Sequence, residues 1–152
     1  MNREILFKAK RKDNGKWVEG YYIYHIKRTI CPFGDSIKPE DEQHVIMQDD
    51  FSDWNMPRNT VVYEIDTDTL CQYTGLTDKN DKKIWENDIV KVSTNKGNTL
   101  CEVRYADNVA QFQLWQFTTL PRTATVLNLG NYEEKVIGNI FDNPELLEGE
   151  RC

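Results

Sequence analysis

The stretch YTGLTDKNDKKIWENDIV, Tyr73 to Val90, gathers four acidic side chains, two asparagines and three lysines between two apolar runs. Carboxylates at such density first suggest a calcium loop, and Asp78-Lys79-Asn80 opens like the D-x-N of that template. The template then fails, because Lys83 stands where the loop needs glycine and Ile89 stands where a bidentate glutamate closes the coordination shell. Asp and Asn also tolerate left-handed backbone and bond to their own turns. The stretch therefore reads as a tight corner between strands.

A second concentration is cationic. Lys8, Lys10, Arg11 and Lys12 lie close in sequence to Trp17, Tyr21, Tyr22 and Tyr24. Cations beside aromatic faces suit single-stranded nucleic acid, through phosphate neutralisation and base stacking. The competing reading is a hairpin end whose lysines discourage edge pairing while the aromatics face a core. The charge distribution bears on the choice: residues 1–28 carry a net +5 and residues 29–152 a net −11, so a basic head sits on an acidic body that repels polyanions.

Other chemistry is sparsely signalled. His25 and His44 are the two histidines, and no GxSxG elbow, GxGxxG fingerprint or P-loop accompanies them. Cys31, Cys71, Cys101 and Cys152 are spaced by 40, 30 and 51 residues, which excludes short ligand pairs and suits free thiols. Neither a cofactor nor a metal is expected, and an enzyme is not; a hydrolase would need His25 or His44 gathered with carboxylates or Cys31. The acidic runs Glu40-Asp41-Glu42 and Asp49-Asp50 read as solvated loop faces.

The elements that must position these residues are strands. With 152 residues, 39% of them hydrophobic and 29% charged, the chain has the size and balance of one folded domain, 1–152. The opening MNREILFKAK lacks a signal-peptide core, and no apolar run approaches a membrane span, so a cytoplasmic protein without membrane contact is expected. An N-terminal hairpin, 3–28, turns at Asp13-Asn14-Gly15. A variable polar loop region, 31–58, is interrupted by the short apolar trio Val45-Ile46-Met47 and by one helical turn beginning at Pro39.

A β-barrel-like core, 60–141, follows. Within it, Val61 to Ile65 and Leu70 to Tyr73 flank a turn at Asp66-Thr67-Asp68, and Thr94 to Asn98 form a five-residue loop. Gln111 to Leu114 alternates, and Trp115 and Phe117 then fall out of phase, which implies a bulge or a strand covered on both faces. Asn143 to Gly149 closes the chain as a helix of two turns capped by Asn143. The class is mainly β: a strongly bent antiparallel sheet or small SH3-like barrel with an N-terminal hairpin and a short C-terminal helix.

REILFKAKRKDNGKWVEGYY, LCQYTGLTDKNDKKIWENDIVKV and EKVIGNIFDNPELLE, taken together and in this order, resemble the segments of the YopX-like proteins of bacteriophages and prophages. Gln72, Tyr73, Thr74, Gly75, Leu76, Asp78, Asn80, Ile84, Glu86, Asp88, Ile89 and Val90 match the central motif of that family. Asp81 and Asn87 replace two glycines expected there, and both residue types can hold positive φ. Backbone geometry is then what the motif requires. The resemblance implies a small β-rich protein of the bacterial host cytoplasm, capable of homo-oligomer assembly, and brings no catalytic residues.

Two functions follow as expectations. The first is a non-enzymatic protein-interaction domain for a host or phage protein, with Tyr73, Trp85 and Glu86 displayed by the corner. The alternative is a nucleic-acid-binding module using Lys8, Lys10, Arg11, Lys12, Trp17 and Tyr22.

Overall fold

A computed structural model describes residues 1–116 and 125–148. It is mainly β, built as two antiparallel sheets with one short helix, and one sheet is bent into a near-ring. The chain forms two compact units, one of residues Glu4–Gln72 and one that begins at Tyr73 and includes Met1–Arg3.

In the first unit, strands β1 (Phe7–Arg11) and β2 (Trp17–Ile26) form the expected hairpin, with Lys10 opposite Trp17 and Phe7 opposite Gly20. Gly15, at φ 68°, turns the connection and donates its N–H to the Arg11 carbonyl at 2.9 Å. Past Gly20, β2 changes partner and pairs with β3 (Glu42–Asp49), from Tyr21 opposite Met47 to Ile26 opposite Glu42. Gly20 allows this bend, because a Cβ there would lie 2.2 Å from the Met47 carbonyl oxygen.

Strand β4 (Thr60–Thr77) pairs first with β3, through Thr60 to Glu64, and then with β1, through Ile65 to Gln72. The order β1-β2-β3-β4 thus returns to β1. Ala9, Val18, Ile46 and Ile65 fill the ring, with Phe7, Tyr22, Tyr63 and Leu70 packed around them.

Three readings of this region are corrected. The strand at Val45-Ile46-Met47 extends over eight residues with polar ends, because β2 holds Glu42, Gln43 and His44 in the ladder at one end and β4 holds Gln48 and Asp49 at the other. Asp66-Thr67-Asp68 is a bulge inside one continuous strand. There the Thr69 hydroxyl donates to the Asp66 carbonyl at 2.7 Å and accepts the Lys10 N–H at 2.8 Å.

The third concerns the acidic run. Pro39–Asp41 forms the expected helical turn, but Asp41 is buried, with both its oxygens bonded by the Arg28 guanidinium at 2.7 and 2.9 Å. That guanidinium, with the Lys38 N–H, holds the Asp41 carboxyl below its usual range.

The second unit contains the sheet β10-β6-β7-β8-β9, with β6 at Asp88–Thr94, β7 at Gly97–Ala106, β8 at Gln111–Gln116, β9 at Thr125–Asn128 and β10 at Glu133–Asn139. Strand β5 (Lys83–Trp85) pairs with the end of β4. Ile84, Val90, Val92, Cys101, Val103 and Leu114 are fully buried and form the core, with Val136 beside them.

Thr94 pairs with Gly97, so the expected five-residue loop is a two-residue turn, Asn95-Lys96, and Asn98 belongs to the ladder. Strand β8 keeps an unbroken register, and the Arg104 guanidinium covers Trp115 at 5.3 Å; the strand is covered on both faces and carries no bulge, while Phe117 lies outside the described residues. The closing helix α1 is a single turn, Glu145–Glu148, shorter than the two turns expected, and Gly149 lies outside the described residues. The Asn143 side chain accepts the Asn139 N–H at 3.4 Å, turned back toward β10 and away from the cap role expected of it.

Candidate interaction surface

The corner from Tyr73 to Val90 is a backbone scaffold centred on two buried aspartates. Asp78 Oδ1 accepts the N–H groups of Asn80 and Lys82 at 2.8 and 3.0 Å, and Oδ2 accepts the Val136 N–H at 2.9 Å. One carboxylate thereby shapes its own turn and fastens it to β10. Burial opposes ionisation of Asp78, but the three N–H bonds outweigh it and hold the carboxyl below its usual range. Asp88 Oδ2 similarly accepts the Trp85 N–H at 2.9 Å.

The two residues that stand where the family motif has glycine, Asp81 and Asn87, have φ of 60° and 66°. The left-handed geometry read from the sequence is present at both. Asp81 is exposed and its side chain has no partner among the described residues, so it isolates the backbone effect. Asp81→Ala is expected to cost about 1 kcal/mol in urea unfolding, while Asp81→Gly stays within a few tenths of the native protein.

Tyr73 and Trp85 face each other across β4 and β5 with ring centroids 5.5 Å apart, and they are 8% and 4% exposed. The expectation that the corner displays these two rings to a partner is corrected by that burial. Glu86 is half-buried beside them. A polar motif supplies no local signal of which face its aromatic residues take.

In the basic hairpin the structure brings Lys8 and Lys10 over the Trp17 ring, at 5.0 and 5.4 Å from its centroid. Arg11 pairs with Asp13 and lies over the Tyr63 ring at 4.0 Å, and Lys12 pairs with Glu64 at 3.2 Å. Tyr22 faces inward, against Phe7 and stacked on His44, with its hydroxyl 2.6 Å from His44 Nδ1. His25 Nε2 lies 2.6 Å from the Gln43 side-chain oxygen, and Cys31 is exposed. Among the described residues, no group of three or more His, Cys, Asp or Glu side chains is placed to hold a metal.

What the sequence reading missed is the ten-residue connection from β3 to β4, residues 50–59. It exposes Phe51 (84%), Trp54 (91%) and Met56 (62%). At its base, the Asp50 N–H donates to the Asn59 carbonyl at 2.8 Å, one rung beyond the Asp49–Thr60 pair. Two residues further down, Tyr21, Met47 and Val62 form a cross-strand row on β2, β3 and β4, with Tyr21 and Val62 exposed. The available signal was three large apolar residues within an otherwise polar segment.

The sheets, the bent ring and the corner define a small all-β protein whose central motif is structural. Residues 6–148 match the model of the YopX protein family, and the chain belongs to that family. It is also similar to protein EF1440 from Enterococcus faecalis, whose crystal structure it matches at 24% identity over 96% of this chain and 99% of that one, with a TM-score of 0.47. No curated protein matches the chain. Among the described residues, no helix is long and apolar enough to cross a membrane.

Proposed function

We propose that this YopX family member is a non-enzymatic protein-interaction domain of phage or prophage type, acting on a host or phage protein in the bacterial cytoplasm. The observation that carries the reading is the exposure of Phe51, Trp54 and Met56 on one hairpin connection. Large apolar side chains presented together cost solubility and return nothing to the fold, whereas aromatic anchors dominate the energetics of protein interfaces. The surface row of Tyr21, Met47 and Val62 extends the apolar area from the base of that connection. Self-association through the same surface is the homo-oligomeric form of the proposal.

The test is site-specific photo-crosslinking in bacterial cells, with the crosslinking residue at position 54 and, as a control, at exposed position 107. A single recurrent adduct at 54, absent at 107 and lost in the Phe51→Ala/Met56→Ala background, is expected. Adducts that are identical at both positions, or that survive the double substitution, would overturn the assignment. Trp54→Ala itself should change unfolding stability by less than about 0.5 kcal/mol, since the ring packs on almost nothing.

The nucleic-acid reading is second. Lys8 and Lys10 beside Trp17 support it. The pairing of Arg11 with Asp13 and of Lys12 with Glu64 weakens it, because both of these cations are already compensated.

A further inference from the structure

On the outer face of the sheet in the second unit, Lys135 of β10 stands directly opposite Lys91 of β6, and Leu100 of β7 continues the row. Like charges in opposed cross-strand positions, with Cβ atoms about 5 Å apart, destabilise a sheet. Among the described residues neither lysine pairs with a carboxylate.

The two line a groove of about 570 Å³ together with Lys79, Ser93, Asn98 and Leu100. That volume lies within the range of small-ligand sites, about 300–1,000 Å³. Lys79 enters from the corner loop and is held at the rim by Glu133, 2.9 Å away, the one acidic group among the described residues of the lining. The Ser93 hydroxyl donates to Asn98 Oδ1 at 2.9 Å, which leaves the Asn98 amide nitrogen as a further donor. Leu100 and Ile137 add an apolar flank. Three ammonium groups against one carboxylate, with a neutral donor and an apolar wall beside them, make a receptor for an anionic head on a less polar body.

The geometry points to a binding site for a small organic phosphate in this groove, with the phosphoryl group between Lys91 and Lys135. Compact ammonium groups serve a phosphate as point charges, and a doubly charged phosphomonoester matches a lysine pair better than a single carboxylate does. The bound anion converts an opposed like-charge pair into a bridged one. The site lies on different strands from the apolar surface proposed above, and either stands without the other.

Thermal unfolding at fixed ionic strength tests it, with adenosine monophosphate, inorganic phosphate, adenosine and chloride as the four probes. Adenosine monophosphate at a hundredfold excess over Kd should raise Tm by about 5 °C or more. Inorganic phosphate should produce a smaller rise, and adenosine and chloride none. Lys91→Gln and Lys135→Gln should each weaken the response at least tenfold in ligand concentration. Without ligand at low salt, Lys91→Gln should be at least as stable as the native protein, so lost binding there is not lost folding. Equal shifts with adenosine or chloride, or a response unchanged in the double Lys91→Gln/Lys135→Gln protein, would overturn the site.

Discussion

Asp78→Ala is expected to destabilise the second unit by about 3 kcal/mol or more. Hydrogen bonds to a charged acceptor contribute roughly 1.5–3 kcal/mol each, and removing the acceptor leaves buried donors without partners. Asp78 accepts from Asn80, Lys82 and Val136, so its loss orphans three N–H groups and releases the turn from β10 at once. Asp78→Asn should also be costly, because an amide nitrogen in place of one carboxylate oxygen opposes a donor to a donor.

The pH dependence has a definite sign. The folded carboxyl lies below its ordinary value, so its contribution is fully present above the unfolded pKa, about 4, and is lost as pH falls through the lowered folded value. Denaturant unfolding of the native protein and Asp78→Asn at pH 7 and at about pH 3 should show the gap between them narrowing in acid. A gap that is constant or widens on acidification would mean that the carboxylate's charge does not matter.

Gly20→Ala is expected to destabilise the first unit by about 3 kcal/mol, and Gly20→Val by more. The added carbon would sit 2.2 Å from the Met47 carbonyl oxygen and 3.0 Å from an Ile46 methyl group. The obstacle is backbone in a central strand, so it cannot swing aside as a flexible side chain would, and forced overpacking typically costs 1–3 kcal/mol or a little more. Near-ultraviolet circular dichroism should lose the signal of Tyr22 and Tyr63, which pack around the core of the ring. An alanine variant as stable as the native protein would show that β2 can change partners without close approach.

The sequence reading succeeded where a local rule had no competitor. The Asp13-Asn14-Gly15 turn and the positive φ of Asp81 and Asn87 follow from backbone chemistry within a few residues. It failed where distant partners decide. Strand β3 keeps its polar ends because β2 and β4 flank it, and β4 remains one strand because Thr69 stitches the bulge at Asp66 to Lys10 of β1.

The site divided in the same way. The sequence holds seventeen aromatic residues but carries no local signal of which ones the sheets bury. Tyr73 and Trp85 meet across two strands and bury each other, whereas Phe51 and Trp54 sit on a connection that leaves both exposed. The opposed Lys91 and Lys135 were invisible until the register of β6 and β10 was known, since they lie 44 residues apart inside two apolar runs.

The closure of β4 onto β1 also bears on the order of events during synthesis. Phe7 pairs with Gln72, so this end of β1, once synthesised, waits for 65 further residues before its second edge is covered. Contacts so far apart in sequence form late and set the pace of folding. Through that interval β1 has one bare edge, and it is the strand that carries Lys8, Lys10 and Arg11. Three like charges on an unpaired edge repel a second nascent copy, so the basic strand protects the chain during the time when its edge is open.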